Sequence, residues 1–206
     1  MVAHALPKHR FISPDEYLAR ERAAETKSEY LRGEIYAMSG GSPEHSTIIV
    51  NVTAAIVAQL KGKPCRAHSS DMKVRSTPTG LYSYPDLSIV CGEERFHDER
   101  RDVLVNPTAI VEVLSPSTER FDRGKKFAQY QQIETFRDYL LISQEEPRVE
   151  HFSRDDKGGW YYRSIAGLDG EVVIPSIGCT LLLSDVYDRV EFPPVSTAPA
   201  VEVEND

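Results

Sequence analysis

The chain has 206 residues, 40% of them hydrophobic and 27% charged, with a formal net charge of −8. That length suits one domain with its own core. No apolar run reaches the roughly 20 residues of a membrane helix, and the opening MVAHALPKHR carries no apolar core of a signal peptide, so the expected address is the cytoplasm. The acidic balance is unlike the basic surface of a high-affinity nucleic-acid module. Part of it is local, because Glu191, Glu202, Glu204 and Asp206 leave about −4 for the body of the chain.

Taken in chain order, Ser13-Pro14-Asp15-Glu16 starts a helix, with a capping hydroxyl, proline in the first turn and acids at the positive dipole end. The helix is expected to run to about Glu25. Residues 28–38 read as two short strands around a turn at Arg32-Gly33. Ser42-Pro43-Glu44 starts a second helix. There Ile48, Ile49, Val52, Ile56 and Leu60 recur at helical spacing, and Gly62 ends it. Residues 64–76 look extended, with Met72 and Val74 alternating against Lys73 and Arg75, and Thr77-Pro78-Thr79-Gly80 is a turn.

Two apolar segments, 85–91 and 109–114, read as central strands separated by a solvated loop at 93–102. Ser115-Pro116-Ser117-Thr118 breaks the second strand and launches a crossover helix over 119–134, striped by Phe127, Tyr130 and Ile133. Strands follow at 137–142, 149–154 and 160–163, the last two joined by a turn at Asp156-Lys157-Gly158-Gly159, with further short strands at 172–174 and 180–183. The strand at 149–154 pairs with either neighbour. This order predicts an α+β fold, a central mixed sheet flanked by helices in one domain over 1–191, and a disordered acidic tail from Phe192 to 206. Cys65, Cys91 and Cys179 are odd in number and far apart with no C-x-x-C, so they are expected to be buried small apolar residues, with neither a zinc site nor a disulfide framework.

Glu112 is the anomaly. It sits inside Ala-Ile-Val-Glu-Val-Leu, where an ionised carboxylate costs several kcal/mol, roughly, unless it is paired or metal-bound. Either a structural ion pair with a buried Arg or Lys or a metal site would satisfy it. Asp86 opens the other central strand after Pro85, which marks a strand entrance or bulge. Two carboxylates on adjacent strands can hold one hard cation, and Mg²⁺, which accepts one or two carboxylates and keeps its waters, suits them, with Mn²⁺ as the alternative. Lys126, early in the crossover helix, could orient a water or steady developing charge, or could equally lie on a solvated face. Glu29 begins a short strand, and His45 shares the inward stripe of the second helix. The phosphate-loop, dinucleotide-fold, zincin and nucleophile-elbow motifs are all missing from the sequence.

In order, Glu29-Tyr30-Leu31-Arg32-Gly33-Glu34, Glu44-His45-Ser46, Pro85-Asp86-Leu87, Val111-Glu112-Val113-Leu114-Ser115-Pro116-Ser117-Thr118, Asp122…Lys126…Tyr130 and Asp138-Tyr139-Leu140-Leu141-Ile142 resemble the Uma-two family of restriction-endonuclease-like proteins, over roughly residues 10–190. The run from Val111 to Thr118 is the most specific part. The resemblance implies a PD-(D/E)XK nuclease core, with Asp86 as the aspartate of that signature, Glu112 as its acidic partner and Glu29 as the N-terminal acid. The signature lysine would stand at Leu114, so the resemblance implies that the role has moved to Lys126, with neighbouring Lys125 as the alternative. Two smaller departures, Tyr139-Leu140 where the family often has Tyr-Trp and Gln132-Ile133-Glu134-Thr135 without a turn glycine, concern packing.

The expected function is Mg²⁺-dependent hydrolysis of DNA phosphodiesters, RNA being the alternative substrate. The superfamily analogy adds a homodimer. A non-catalytic nucleic-acid- or protein-binding member, and a hydrolase of small phosphate esters, are the competing readings.

Overall fold

A computed structural model describes residues 11–192. The expected tail therefore lies outside the described residues, except that Phe192 itself packs on Tyr187, with ring centroids 5.3 Å apart.

Helix α1 (Pro14–Glu21) is capped by the Ser13 hydroxyl, which accepts from the Glu16 N–H. It stops four residues before the expected end. Strands β1 (Ser28–Leu31) and β2 (Glu34–Ala37) form the expected hairpin. Arg32 and Gly33, both at positive φ, make its two-residue turn. Helix α2 (Pro43–Leu60) matches its sequence signals at both ends. Ile48, Val52, Ile56 and Leu60 are its buried stripe, and Ile49 packs at the margin of the same core.

Strands β3 (Cys65–Ser69), β4 (Lys73–Arg75), β5 (Leu81–Ser83), β6 (Leu87–Cys91), β7 (Val103–Leu104) and β8 (Ala109–Val113) follow. The crossover is not one helix over 119–134. It is α3 (Glu119–Phe121), a π-helical turn (Asp122–Lys126) and α4 (Phe127–Tyr130). The helical path ends at Tyr130 because Ile133 and Phe136 must both enter the core ahead of β9 (Asp138–Ile142). Strands β10 (Arg148–Arg154), β11 (Trp160–Ala166), β12 (Glu171–Ile174) and β13 (Cys179–Leu182), then α5 (Leu183–Val186), complete the fold.

The architecture is mixed α+β. A six-stranded sheet runs β11-β10-β9-β8-β6-β3, a five-stranded sheet runs β2-β1-β5-β4-β7, and β12 and β13 pair alone. β10 pairs with both β9 and β11, which resolves the ambiguity left by the sequence. β8 is antiparallel to β6 and parallel to β9. All five of its residues are buried. Strand alternation sorts its side chains: Ala109, Val111 and Val113 join α2, β12, β13 and α5 in one core, while Ile110 joins Leu114, Phe127, Tyr130 and Tyr139 in another. Glu112 therefore points to the second face, the one covered by the π turn and α4.

Two sequence expectations need correction. Cys65 and Cys91 are half-buried and joined by a disulfide, because antiparallel pairing of β3 with β6 sets them directly opposite, Cα atoms 4.0 Å apart. Their separation of 26 positions hides that adjacency in the sequence. Cys179 is the free buried cysteine expected. Lys73, assigned to the outer face, is buried beside Val74. Its ammonium lies 5.0 Å from the ring centres of both Tyr17 and Tyr84, a cation–π position that makes burial tolerable. Loss of solvent lowers its pKa to about 8. Among the described residues no helix is long and apolar enough to cross a membrane.

Candidate active site

The β6–β8 register pairs Leu87 with Val111 and Ser88 with Ile110. One step further along the same ladder sets Asp86 opposite Glu112. The two carboxylates thus meet across adjacent strands at the end of the pairing, and both line one cavity of about 660 Å³. Asp86 Oδ2 accepts the Val113 N–H at 2.8 Å and lies 3.3 Å from His45 Nε2. Glu112 Oε1 accepts the Tyr130 hydroxyl at 3.1 Å and lies 2.9 Å from Lys126 Nζ.

The π turn carries both charges that this segment supplies to the buried place. Asp122 and Lys126 both face inward and are 3% and 5% exposed. Asp122 Oδ1 is 3.2 Å from Lys126 Nζ. Their four-residue spacing sets both side chains on one helix face, and π-helical turns of this kind recur at functional sites. Lys126 also approaches Glu29 Oε1, at 3.3 Å. Glu29 is held by the Tyr84 N–H. Lys125, the alternative cation, is exposed and does not line the cavity.

Electrostatics follow from this packing. Burial pushes the Glu112 carboxyl well above the usual range, with Asp122, Asp86 and Glu29 adding to the rise and Lys126 opposing it. Burial works against the Lys126 ammonium, but Glu112 and Glu29 outweigh it and hold the lysine protonated. The Asp86 hydrogen bond raises His45, against burial and with help from the Val113 carbonyl. The inward stripe of the second helix carries His45 to the cavity, where its partner is the Asp86 carboxylate. Tyr130 was assigned to the apolar stripe alone. Its four-residue spacing from Lys126, itself four from Asp122, was the available signal. Tyr84 and Gln144 carry no sequence mark.

Four carboxylates, Glu29, Asp86, Glu112 and Asp122, border the cavity against one ammonium and one imidazole. The hydrogen bonds of Asp86 and Glu112 fall on Oδ2 and Oε1. Both residues border the cavity, where a ligand would meet them. Among the described residues no group of three or more His, Cys, Asp or Glu encloses a metal by itself. That donor set does not fit zinc, which takes three or four protein ligands. It fits a hard cation bound through one or two carboxylates and several waters, as Mg²⁺ is.

Fold and cavity together define a restriction-endonuclease-like α+β protein with a buried acid–lysine centre. Residues 14–181 match the Uma2 family, described as "Putative restriction endonuclease", and the chain belongs to that family. Two relatives from Synechocystis, Uncharacterized protein slr1290 and Uncharacterized protein sll1609, are 35% and 32% identical. The first alignment covers 93% of this chain and all of that one, the second 79% and 92%. A crystal structure of a putative nuclease belonging to DUF820 from Anabaena variabilis superposes with a TM-score of 0.69 at 21% identity, over 85% of this chain and 97% of that one. At that identity the likeness speaks to the fold.

Proposed function

We propose that this chain is a metal-dependent nuclease, hydrolysing DNA phosphodiester bonds with Asp86 and Glu112 as the Mg²⁺ ligands, Mn²⁺ being the substitute. The observation that carries the reading is the 2.9 Å contact of Lys126 with Glu112 in the cavity that Asp86 also borders. Bound there, the cation would supply Lewis acidity and lower the pKa of a water. The side chains do the rest. Tyr130 fixes Glu112, and His45 with the Val113 N–H fixes Asp86. Glu29 and Asp122 hold the Lys126 ammonium in place and charged. A cation so placed can steady negative charge developing on phosphate oxygens.

The test is cleavage of DNA and RNA substrates with Mg²⁺ or Mn²⁺, alongside calorimetric titration of each metal into wild type and Asp86→Ala. Wild type should bind the metal and cut, and the variant should do neither. Cutting by Asp86→Ala at the wild-type rate would remove the reading. The engagement of Lys126 by three carboxylates also favours a second reading, a non-catalytic binding member of the fold. Metal binding without cleavage of any nucleic acid would select it.

The loop before α2 offers a finer prediction. A Cβ on Gly41 would stand 2.9 Å from His45 Nδ1. Gly41→Ala should push the imidazole off Asp86 and lower cleavage by up to about 100-fold, the scale of a misplacement of an ångström near the chemistry. The melting temperature should scarcely move, because the loop is exposed. A large loss of stability would show instead that the loop is structural.

A further inference from the structure

We propose that the mouth of this cavity stacks an unpaired nucleobase on Tyr36 and Phe121, so that the substrate is single-stranded nucleic acid and not duplex; the inference rests on the nuclease reading above.

The aromatic pair is built into the mouth. Tyr36 lies opposite Glu29 in the β1–β2 ladder, and directly opposed residues share a sheet face. Glu29 faces the cavity, and so does Tyr36. Phe121, the last residue of α3, reaches it from the other wall, ring centroids 6.1 Å apart and planes tilted by 34°. The Tyr36 hydroxyl is fixed on Glu34 Oε2, which orients the ring. Yet Tyr36 is 41% exposed, and Met38 beside it is 39% exposed. These are large apolar surfaces at the rim of an acidic cavity, where burial in the protein's own core is not their purpose.

Charge points the same way. Duplex binding draws most of its affinity from lysines and arginines on phosphates. Among the described residues Lys126 is the one such residue lining this cavity, and it is buried and engaged by three carboxylates. Arg123 on the π turn is engaged by Glu119 and Glu150. Arg120 and Lys125 are exposed but do not line the cavity. The other polar residues of the described lining are the four carboxylates, His45, and hydroxyl and amide groups, including Ser42 bonded to Gln144. A site with aromatic faces suits bases whose own faces are open, as in single strands, where each stacked base adds about 1–3 kcal/mol. Paired bases in a duplex keep those faces covered. One strand also needs one site, so this substrate class does not require the homodimer that cutting both strands would favour.

The experiment is binding of an oligonucleotide carrying 2-aminopurine, as a single strand and as a hairpin duplex, to the full chain with Ca²⁺ in place of Mg²⁺. The single strand should bind tighter than the hairpin, with quenching of the base fluorescence. Its affinity should depend weakly on salt, with a log–log slope near about −1, as for one or two phosphate contacts. Tyr36→Ala should weaken binding by about 5- to 160-fold, the range for losing one stacked base. Tyr36→Phe should retain it, and Phe121→Leu should weaken it. Equal binding of hairpin and single strand, unchanged binding by Tyr36→Ala, or no binding of either oligonucleotide would overturn the proposal. Tyrosine-dependent binding of a strand that stays uncut with Mg²⁺ and Mn²⁺ would instead remove the nuclease reading and leave the stacking surface standing.

Discussion

Lys126→Met should lose cleavage and lower the melting temperature by roughly 6–20 °C in the absence of divalent metal, since breaking a buried ion pair from one side costs about 3–5 kcal/mol and each kcal/mol is worth about 2–4 °C at this chain length. Methionine fills much the same space, so the loss is electrostatic. Without the ammonium, Glu112, Glu29 and Asp122 share a buried wall with no cation against them. Two features separate this from a generic core defect. Acid should narrow the gap between variant and wild type, because the orphaned carboxylates take up protons and cease to repel. Mg²⁺ should raise the melting temperature of the variant more than that of wild type, since a cation at Asp86 and Glu112 would offset the same charge. Circular dichroism melts with EDTA and with Mg²⁺, at neutral and acid pH, measure both. A variant that melts with wild type would show that Lys126 is not the counter-charge of this wall.

How much of this was legible in the sequence can be judged residue by residue. Glu112 announced itself because a carboxylate in the middle of an apolar strand has few tolerable explanations, and one of the two open ones, an ion pair with a buried cation, is present at Lys126. Asp86 was visible as a strand entrance, but its position opposite Glu112 is a matter of register between strands whose pairing composition does not encode. The partner lysine was the harder inference. Lys125 and Lys126 are adjacent and chemically identical, but the four-residue spacing of Asp122, Lys126 and Tyr130 puts the second on the face of the apolar stripe and the first off it. Lys73 failed because alternation assigned it outward, whereas the rings of Tyr17 and Tyr84 solvate its charge from within. The disulfide between Cys65 and Cys91 needed the β3–β6 pairing, and the five-stranded sheet needed β5 and β7, two or three residues long and too short for any pattern. Elements with strong local chemistry, such as the Arg32-Gly33 hairpin and α2 with its cap and its Gly62 stop, were read at full length.

Glu112→Gln should show the opposite balance from Lys126→Met: activity falls steeply while stability holds or rises. Metal-dependent cleavage should drop by at least about 100-fold, because losing one charged ligand removes several kcal/mol of transition-state stabilisation and each 1.36 kcal/mol is tenfold. Stability runs the other way because the Glu112 carboxyl is raised by burial. A carboxyl whose folded pKa exceeds its unfolded value of about 4.3 loses stabilising power as pH rises through that interval, since ionising it inside the fold costs more than in water. Glutamine does not titrate and is spared this loss. Lys126 gives up one partner but keeps Glu29 at 3.3 Å and Asp122 at 3.2 Å, so its charge stays compensated. The difference in melting temperature, variant minus wild type in EDTA, should therefore be near zero in acid and grow positive toward neutral pH. With Mg²⁺ the order should reverse, because only wild type has both carboxylates for the ion. A variant that loses stability progressively as pH rises would mean that the bond to Lys126 outweighs desolvation, and that the acid in this strand is kept for the fold. A gain without metal that turns into a loss with it would mean that the chain tolerates a destabilising charge there because that charge binds the ion.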